Sequence, residues 1–285
     1  MARRDLWPRV EPLLSRVERP ARYLNHEWGC AAPVAEGDFA FCMIYPDTYE
    51  LGQANQAVRI LVNAVNAMGG MGAERAFLPA VDMADLMREE GVPLFSLESC
   101  RPVVDFDVVG ITLPHELAAT NVLETLDLAG IPLRTADRAE GDPIVLAGGP
   151  CAYNPEPYAP FFDVILVGEG EEQLPEVLAL IRELRASGAP RADILREVAR
   201  RVGGAYVPSL YRWRSEDEAQ AAGSWAEPLF DDVPRVVHKR VFEGFADSPA
   251  LEPMIVPYTE VVHDRLNVEI LRGCARGCRF CQAGM

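Results

Sequence analysis

Three cysteines crowd into the eight residues Cys274-Ala275-Arg276-Gly277-Cys278-Arg279-Phe280-Cys281, at spacings of four and three, with an aromatic residue directly before the last. Thiolates so spaced can hold three irons of a cubane iron–sulfur cluster, whereas a cluster that only passes electrons normally takes a fourth cysteine. An iron without a protein ligand can instead bind a small molecule and do chemistry on it. Zinc is the competing reading, but a closed structural zinc site needs four ligands. The nearest upstream candidate, His263, lies beyond an expected strand. A disulfide framework fits poorly with a long chain that carries seven cysteines and no export signal. Cys42 and Cys100 sit in apolar stretches and read as core, and Cys151 has no partner in sequence.

The residues just before the motif must position it. Residues 267–272, Asn-Val-Glu-Ile-Leu-Arg, read as a short strand with Val268 and Ile270 on one face, and Gly273 opens a loop. Loops at the C-terminal ends of strands carry the chemistry of βα barrels. The cysteine spacing, with Phe280 in place, resembles the signature of the radical S-adenosylmethionine (radical SAM) superfamily.

That resemblance implies a [4Fe–4S] cluster on Cys274, Cys278 and Cys281. The amino and carboxylate groups of S-adenosylmethionine would chelate its fourth iron, and Phe280 would lie beside that cofactor. It also implies an electron donor as partner and reductive cleavage to a 5′-deoxyadenosyl radical, the cofactor carrying the hard chemistry. Arg276 and Arg279 have two open readings: offsetting the charge of the cluster, or solvated loop positions. Such enzymes build a partial barrel, about three quarters of the ~250 residues of a full one. Residues 266–285 are therefore expected to be the first strand and cluster loop of that barrel. The chain is expected to be the N-terminal part of a longer enzyme, inactive alone.

Composition bounds the rest. The chain has 285 residues, 49% hydrophobic and 25% charged, which is ordinary for a core-forming protein. A net charge of −16 gives no overall electrostatic footprint for nucleic acid or an anionic membrane. No apolar run approaches the ~20 residues of a membrane-spanning helix. Free cysteines and an oxygen-sensitive cluster lead to the expectation of a cytoplasmic protein.

Residues 1–37 read as a helical appendage, with Trp7, Val10, Leu13, Leu14 and Val17 at helical spacing and Pro20 as the breaker. From 38 to 186, apolar strands near 39–45, 107–113, 144–147 and 164–167 alternate with helices near 56–68, 116–128 and 171–185. Shorter elements near Ala76 and Pro132 are candidates for further strands. The pattern predicts an α/β domain, a doubly wound parallel sheet of Rossmann type. Residues 187–265 read as a connecting region, with a short helix near 192–201, a strand near 205–212 and a polar, acidic stretch at 215–227.

Ligands of such sheets bind at the C-terminal ends of the strands. Those ends carry Asp47, Tyr49 and Gly52 after the first strand, then Thr112 and His115. Gly148-Gly149 follow the third strand, and Gly168 and Gly170 the fourth. The arrangement resembles the cobalamin-binding domain that precedes the barrel in one large radical SAM class, which makes cobalamin a candidate cofactor. In that class the first loop reads Asp-x-His-x-x-Gly when its histidine is the lower cobalt ligand. Here that place is held by Tyr49, and a phenol with a pKa near ~10 is a poor substitute for imidazole. Two readings stay open: cobalamin binding, or a domain that keeps the fold alone, its glycines serving turns and close packing. The alternative for the cysteines is a non-catalytic iron–sulfur or zinc module, its fourth ligand coming from a partner or a missing segment.

Overall fold

Strands β1 (Phe39–Tyr45), β2 (Met71–Phe77), β3 (Val108–Thr112), β4 (Ile144–Gly148), β5 (Val164–Leu166) and β6 (Ala205–Tyr206) form one sheet in the order β2-β1-β3-β4-β5-β6. The computed structural model describes residues 4–222, 225–245, 254–263, 265 and 267–281. Gln282 to Met285, together with Leu266 at the expected start of the barrel, lie outside them. Five strands run parallel, and β6 closes the edge antiparallel, Leu166 facing Ala205.

Alternate residues of β1 face opposite layers, as the two-residue period of a strand requires. Ala40, Cys42 and Ile44 join a core with α4 (Val81–Glu90) and α5 (Ala119–Ala129). Phe39, Phe41 and Met43 join the other core, with α3 (Gln56–Asn66), α6 (Gly170–Ala186) and α7 (Arg191–Arg201). The expected doubly wound α/β architecture is therefore present, with a mixed rather than purely parallel sheet. Two single-turn helices, α1 (Trp7–Val10) and α2 (Tyr49–Gly52), complete the helical set used below.

Several local expectations change. The amphipathic helix near the start is one α turn followed by a 3-10 stretch, Glu11–Arg16, because Pro12 lacks the N–H an α-helix needs there. Val10 and Leu13 still bury against the sheet layer. The segment near Ala76 is a full seven-residue strand, β2, whereas residues near Pro132 form none. The strand expected near 205–212 is divided. Pro208 starts a 3-10 turn between β6 and β7 (Tyr211–Trp213), and β7 pairs with β8 (Ala226–Pro228) in a separate ribbon. Within 187–265, α7 and β6 are integral to the helical layer and the sheet.

Residues 267–272 form no strand. Val268, Ile270 and Leu271 are exposed and have no ladder partner among the described residues. A strand exists only through its neighbour's hydrogen bonds, so hydrophobic alternation alone cannot produce one here. This segment is held by charge instead, through Glu269 and Arg272.

Candidate functional site

The strand order reverses between β1 and β3, since the chain steps outward to β2 and returns to place β3 on the other side of β1. Connections diverge at such a point and leave a crevice at the C-terminal edge of the sheet. A cleft of about 290 Å³ opens there. Its floor is the sheet face carrying Phe41, Gly110, Thr112, Leu146 and Gly148, roofed by the first turns of α3 and α6. Gly110 admits the Phe41 ring, which lies 2.7 Å from where a Cβ would stand, whereas Gly148 has no atom closer than 4.0 Å to that point and leaves the floor open. Ile60 and Leu61 of α3 and Leu174 of α6 make the roof apolar.

Two buried polar atoms beside this cleft lack a hydrogen-bond partner. Thr112, 7% exposed, has its Oγ1 buried with no hydrogen-bond partner. Gln173, wholly buried, donates from Nε2 to the Gly203 carbonyl at 2.8 Å, while its Oε1 is unpartnered. Buried polar groups are nearly always satisfied, so two orphans around one cleft mark positions a ligand can satisfy. Without a ligand the Thr112 hydroxyl costs free energy. Thr112→Val is expected to raise the ligand-free unfolding stability by about 1 kcal/mol, measured by urea denaturation. A loss of stability would mean that the hydroxyl already has a partner.

Of the rim residues named from sequence, Thr112, Gly148, Gly149, Gly168 and Gly170 line this cleft; Asp47, Tyr49 and Gly52 do not. Asp47 accepts from the Thr48 backbone N–H at 2.7 Å and shapes the turn. Gly52 packs where a Cβ would stand 2.3 Å from the Phe77 ring. Tyr49 is buried with its hydroxyl donating to the Glu27 carboxylate, and that burial beside Glu27 raises its pKa far above the ordinary phenol. It therefore offers nothing to a metal in the cleft. His115 is exposed ahead of the 3-10 turn Glu116–Ala118. Cys42, Cys100 and Cys151 are buried, and burial pushes the Cys100 thiol up to about 12.

The mouth of the cleft is closed on one side by charge that sequence reasoning did not anticipate. Glu169 and Glu171 flank the start of α6, and Arg272 reaches both, standing 3.4 Å from Glu169. Arg272 also donates to Glu269 from Nε at 2.7 Å and Nη2 at 2.9 Å, holding that carboxyl below the usual carboxylate range. Its guanidinium stacks near the Phe242 and Phe245 rings, 5.9 and 5.3 Å from their centroids. Glu269 and Arg272 are themselves part of the cleft wall. Arg272 stands two residues before Cys274, so the cysteine loop starts at the ligand end of the sheet.

Cys274, Cys278 and Cys281 are exposed, and Phe280 is 92% exposed. The Cys281 N–H donates to the Cys278 carbonyl at 3.1 Å in a turn that opens after Gly277, whose φ is +62°. No group of three or more His, Cys, Asp or Glu side chains is gathered closely enough to hold a metal among the described residues. Arg276 and Arg279 are likewise exposed. No helix among the described residues is long and apolar enough to cross a membrane.

Comparison with known proteins bears on this fold directly. A family model described as the N-terminal region of radical SAM proteins matches residues 57–208. An uncharacterised protein of Methanocaldococcus jannaschii is 24% identical over 244 residues, which cover 85% of this chain and 40% of that protein. The chain thus spans about two fifths of that relative's length. Among solved structures, the radical S-adenosylmethionine methyltransferase TsrM from Kitasatospora setae, with tryptophan and a SAM analogue bound, aligns with a TM-score of 0.36 and 16% identity. That alignment covers 63% of this chain and 29% of the other. The same enzyme with cobalamin and a [4Fe–4S] cluster bound gives 0.35 and 17%, over 55% and 28% of the two chains. The family match alone covers more than half of the chain, and on it the chain belongs to the radical SAM proteins, as their N-terminal region.

Proposed function

We propose that this chain is the N-terminal part of a radical SAM enzyme. In this reading Cys274, Cys278 and Cys281 hold three irons of a [4Fe–4S] cluster, and S-adenosylmethionine takes the fourth, with Phe280 beside it. When bound, the cluster supplies the electron that cleaves the cofactor's sulfonium. The observation that carries the reading is the clamp of Arg272 on Glu169 and Glu171, which starts the three-cysteine loop at the mouth of the cleft. A redox cofactor held there would face whatever the cleft binds.

The cleft would suit a flat heterocycle with one or two hydrogen-bonding atoms, such as the nucleotide base of a corrinoid, which Thr112 and Gln173 would hold. Support comes from the floor left open at Gly148, the apolar roof and the unpartnered Thr112 and Gln173 oxygens. The lower-ligand position does not fit, because Tyr49 is turned into the network around Glu27. Cobalamin, if it is the ligand, therefore sits here without a protein ligand from the first loop.

Anaerobic reconstitution with iron and sulfide tests the proposal. About four irons per chain are expected, with an EPR signal of the reduced cluster that changes when S-adenosylmethionine is added. Cys278→Ala is expected to lose the cluster. Tight zinc uptake with no iron would sink the reading and favour the second one, a non-catalytic iron–sulfur or zinc module completed elsewhere. That second reading is favoured by the exposure of all three thiols and by there being no gathered group of three or more metal-ligating side chains among the described residues. Hydroxocobalamin titration tests the cleft separately, and an unchanged absorption spectrum would count against a corrinoid there.

A further inference from the structure

The chain is strongly acidic, yet one of its cavities is walled by nitrogen donors. A space of about 220 Å³ lies between the beginning of α3 and residues 254–257, 261, 263, 265 and 267. Its polar lining is Gln53, Arg59, His263, Arg265 and Asn267, with no Asp or Glu among the described residues that line it. Ala54, Ile255 and Val261 supply apolar wall. The cover is fixed in place by backbone bonds, Val256 N–H to the Trp28 carbonyl at 2.9 Å and Val262 N–H to the Glu50 carbonyl at 3.3 Å.

Arg59 is the unusual member. It is 7% exposed and its Nε has no hydrogen-bond partner. The other buried arginines each sit on a carboxylate: Arg75 on Glu27 and Glu98, Arg138 and Arg191 on Asp163. Arg59 has no carboxylate partner among the described residues. A second space of about 270 Å³ also touches it, alongside Arg75 and Glu98. Glu98 does not neutralise it, because the Arg75 Nε and backbone N–H occupy that carboxylate at 2.6 and 2.7 Å. Burial and the nearby Arg75 charge both push the Arg59 pKa down. A buried guanidinium with no counter-charge among the described residues is costly, and a small anion removes that cost.

We infer that this cavity is an oxyanion site, in which Arg59 binds the phosphate or carboxylate group of a small molecule, with Arg265 and His263 adding donors from the mouth. A planar guanidinium suits either group, since both accept two parallel hydrogen bonds. The site is separate from the cleft under α3, which is lined by Gln56, Ala57, Ile60 and Leu61, and from the cysteine loop.

Thermal unfolding of the chain in inorganic phosphate, in acetate, and in sodium chloride of matched ionic strength tests it. A saturable rise in Tm with phosphate or acetate beyond that in chloride is expected, and the oxyanion with the larger rise names the class. Arg59→Met should weaken that response at least ~10-fold and melt higher than the parent in oxyanion-free buffer. Arg265→Ala should weaken it by a smaller factor, and carries the test if Arg59→Met does not fold. An equal rise in chloride, or an undiminished response in either variant, would overturn the assignment. So would a lower Tm of Arg59→Met without oxyanion, joined to a parent that ignores both anions. That pair of results would mean the counter-ion lies within the chain.

Discussion

Arg75→Met is expected to lower the unfolding free energy by about 3–5 kcal/mol. Arg75 is 1% exposed in the middle of β2. Its Nη2 donates to Glu27 at 2.7 Å, its Nε to Glu98 at 2.6 Å, and its Nη1 to Gln53 at 2.5 Å. These bonds tie the N-terminal segment, the turn after α2 and the loop before β3 to one strand. Methionine fills the volume but leaves the buried Glu27 and Glu98 carboxylates without the cation they share. Burial already pushes the Glu98 carboxyl above the usual range, against the pull of Arg75.

The sign of the pH dependence follows. In the variant, Glu98 binds its proton more tightly folded than unfolded, so stability falls as pH rises. The loss is small below the unfolded carboxyl pKa of about 4.3. It becomes complete once pH exceeds the raised folded value of Glu98. Urea denaturation at about pH 5 and about pH 8 reads this directly. A deficit that is equal at both, or larger at the lower pH, would refute the account.

Gly168→Ala is the second large effect, and its damage is local. Gly168 has φ near +120°, and a Cβ there would lie 2.2 Å from the Arg240 carbonyl oxygen and 2.4 Å from the Arg240 nitrogen. Both are backbone atoms and cannot swing aside. They belong to a bridge in which Arg240 N–H donates to the Val167 carbonyl at 2.9 Å and Glu169 N–H to the Arg240 carbonyl at 3.0 Å. Phe242 N–H adds a bond to the Glu169 carboxylate at 2.5 Å. Backbone strain and overpacking together cost about 3 kcal/mol, which is better relieved by detaching 240–242 than by unfolding the sheet.

The expected result is a roughly 100-fold loss of hydrogen-exchange protection at the Arg240 amide, with the β1 and β3 amides unchanged. Glu169 and Phe242 both touch Arg272, so the start of the cysteine loop should loosen as well. Gly141→Ala, with nothing within 4 Å of the new Cβ, is the silent control. Unchanged protection at Arg240 would rule out the proposed role of Gly168.

The elements legible in the sequence were those whose own side chains carry the signal. β1, β3 and β4 are apolar runs between turns, and α3 has Val58, Val62 and Val65 on one face with Asn55 capping its start. β2 was nearly hidden because Glu74 and Arg75 sit at its centre, and charged pairs normally mark exposure. What neutralises Arg75 lies 23 and 48 residues away, and Glu74 accepts from Val34 N–H, Ser96 and Ser99. The opposite error arose at 267–272, where good alternation met no neighbouring strand among the described residues. Tyr49 and the cleft rim divide in the same way. Five of the rim residues converge because strand ends converge, while Asp47, Tyr49 and Gly52 share their loop but face other partners.

The sequence by itself determined the three-cysteine spacing, the alternation of apolar strands and helices, and the glycines at the strand ends, since each is a local property of neighbouring residues. Only the tertiary structure decided that Thr112 and Gln173 are left unpartnered in one cleft, that Arg272 ties the cysteine loop to its mouth, and that Arg59 is buried without a described counter-charge. Those are properties of which groups meet across the fold. Burial and pairing are sums over neighbours distant in sequence, and residue spacing along the chain does not encode them.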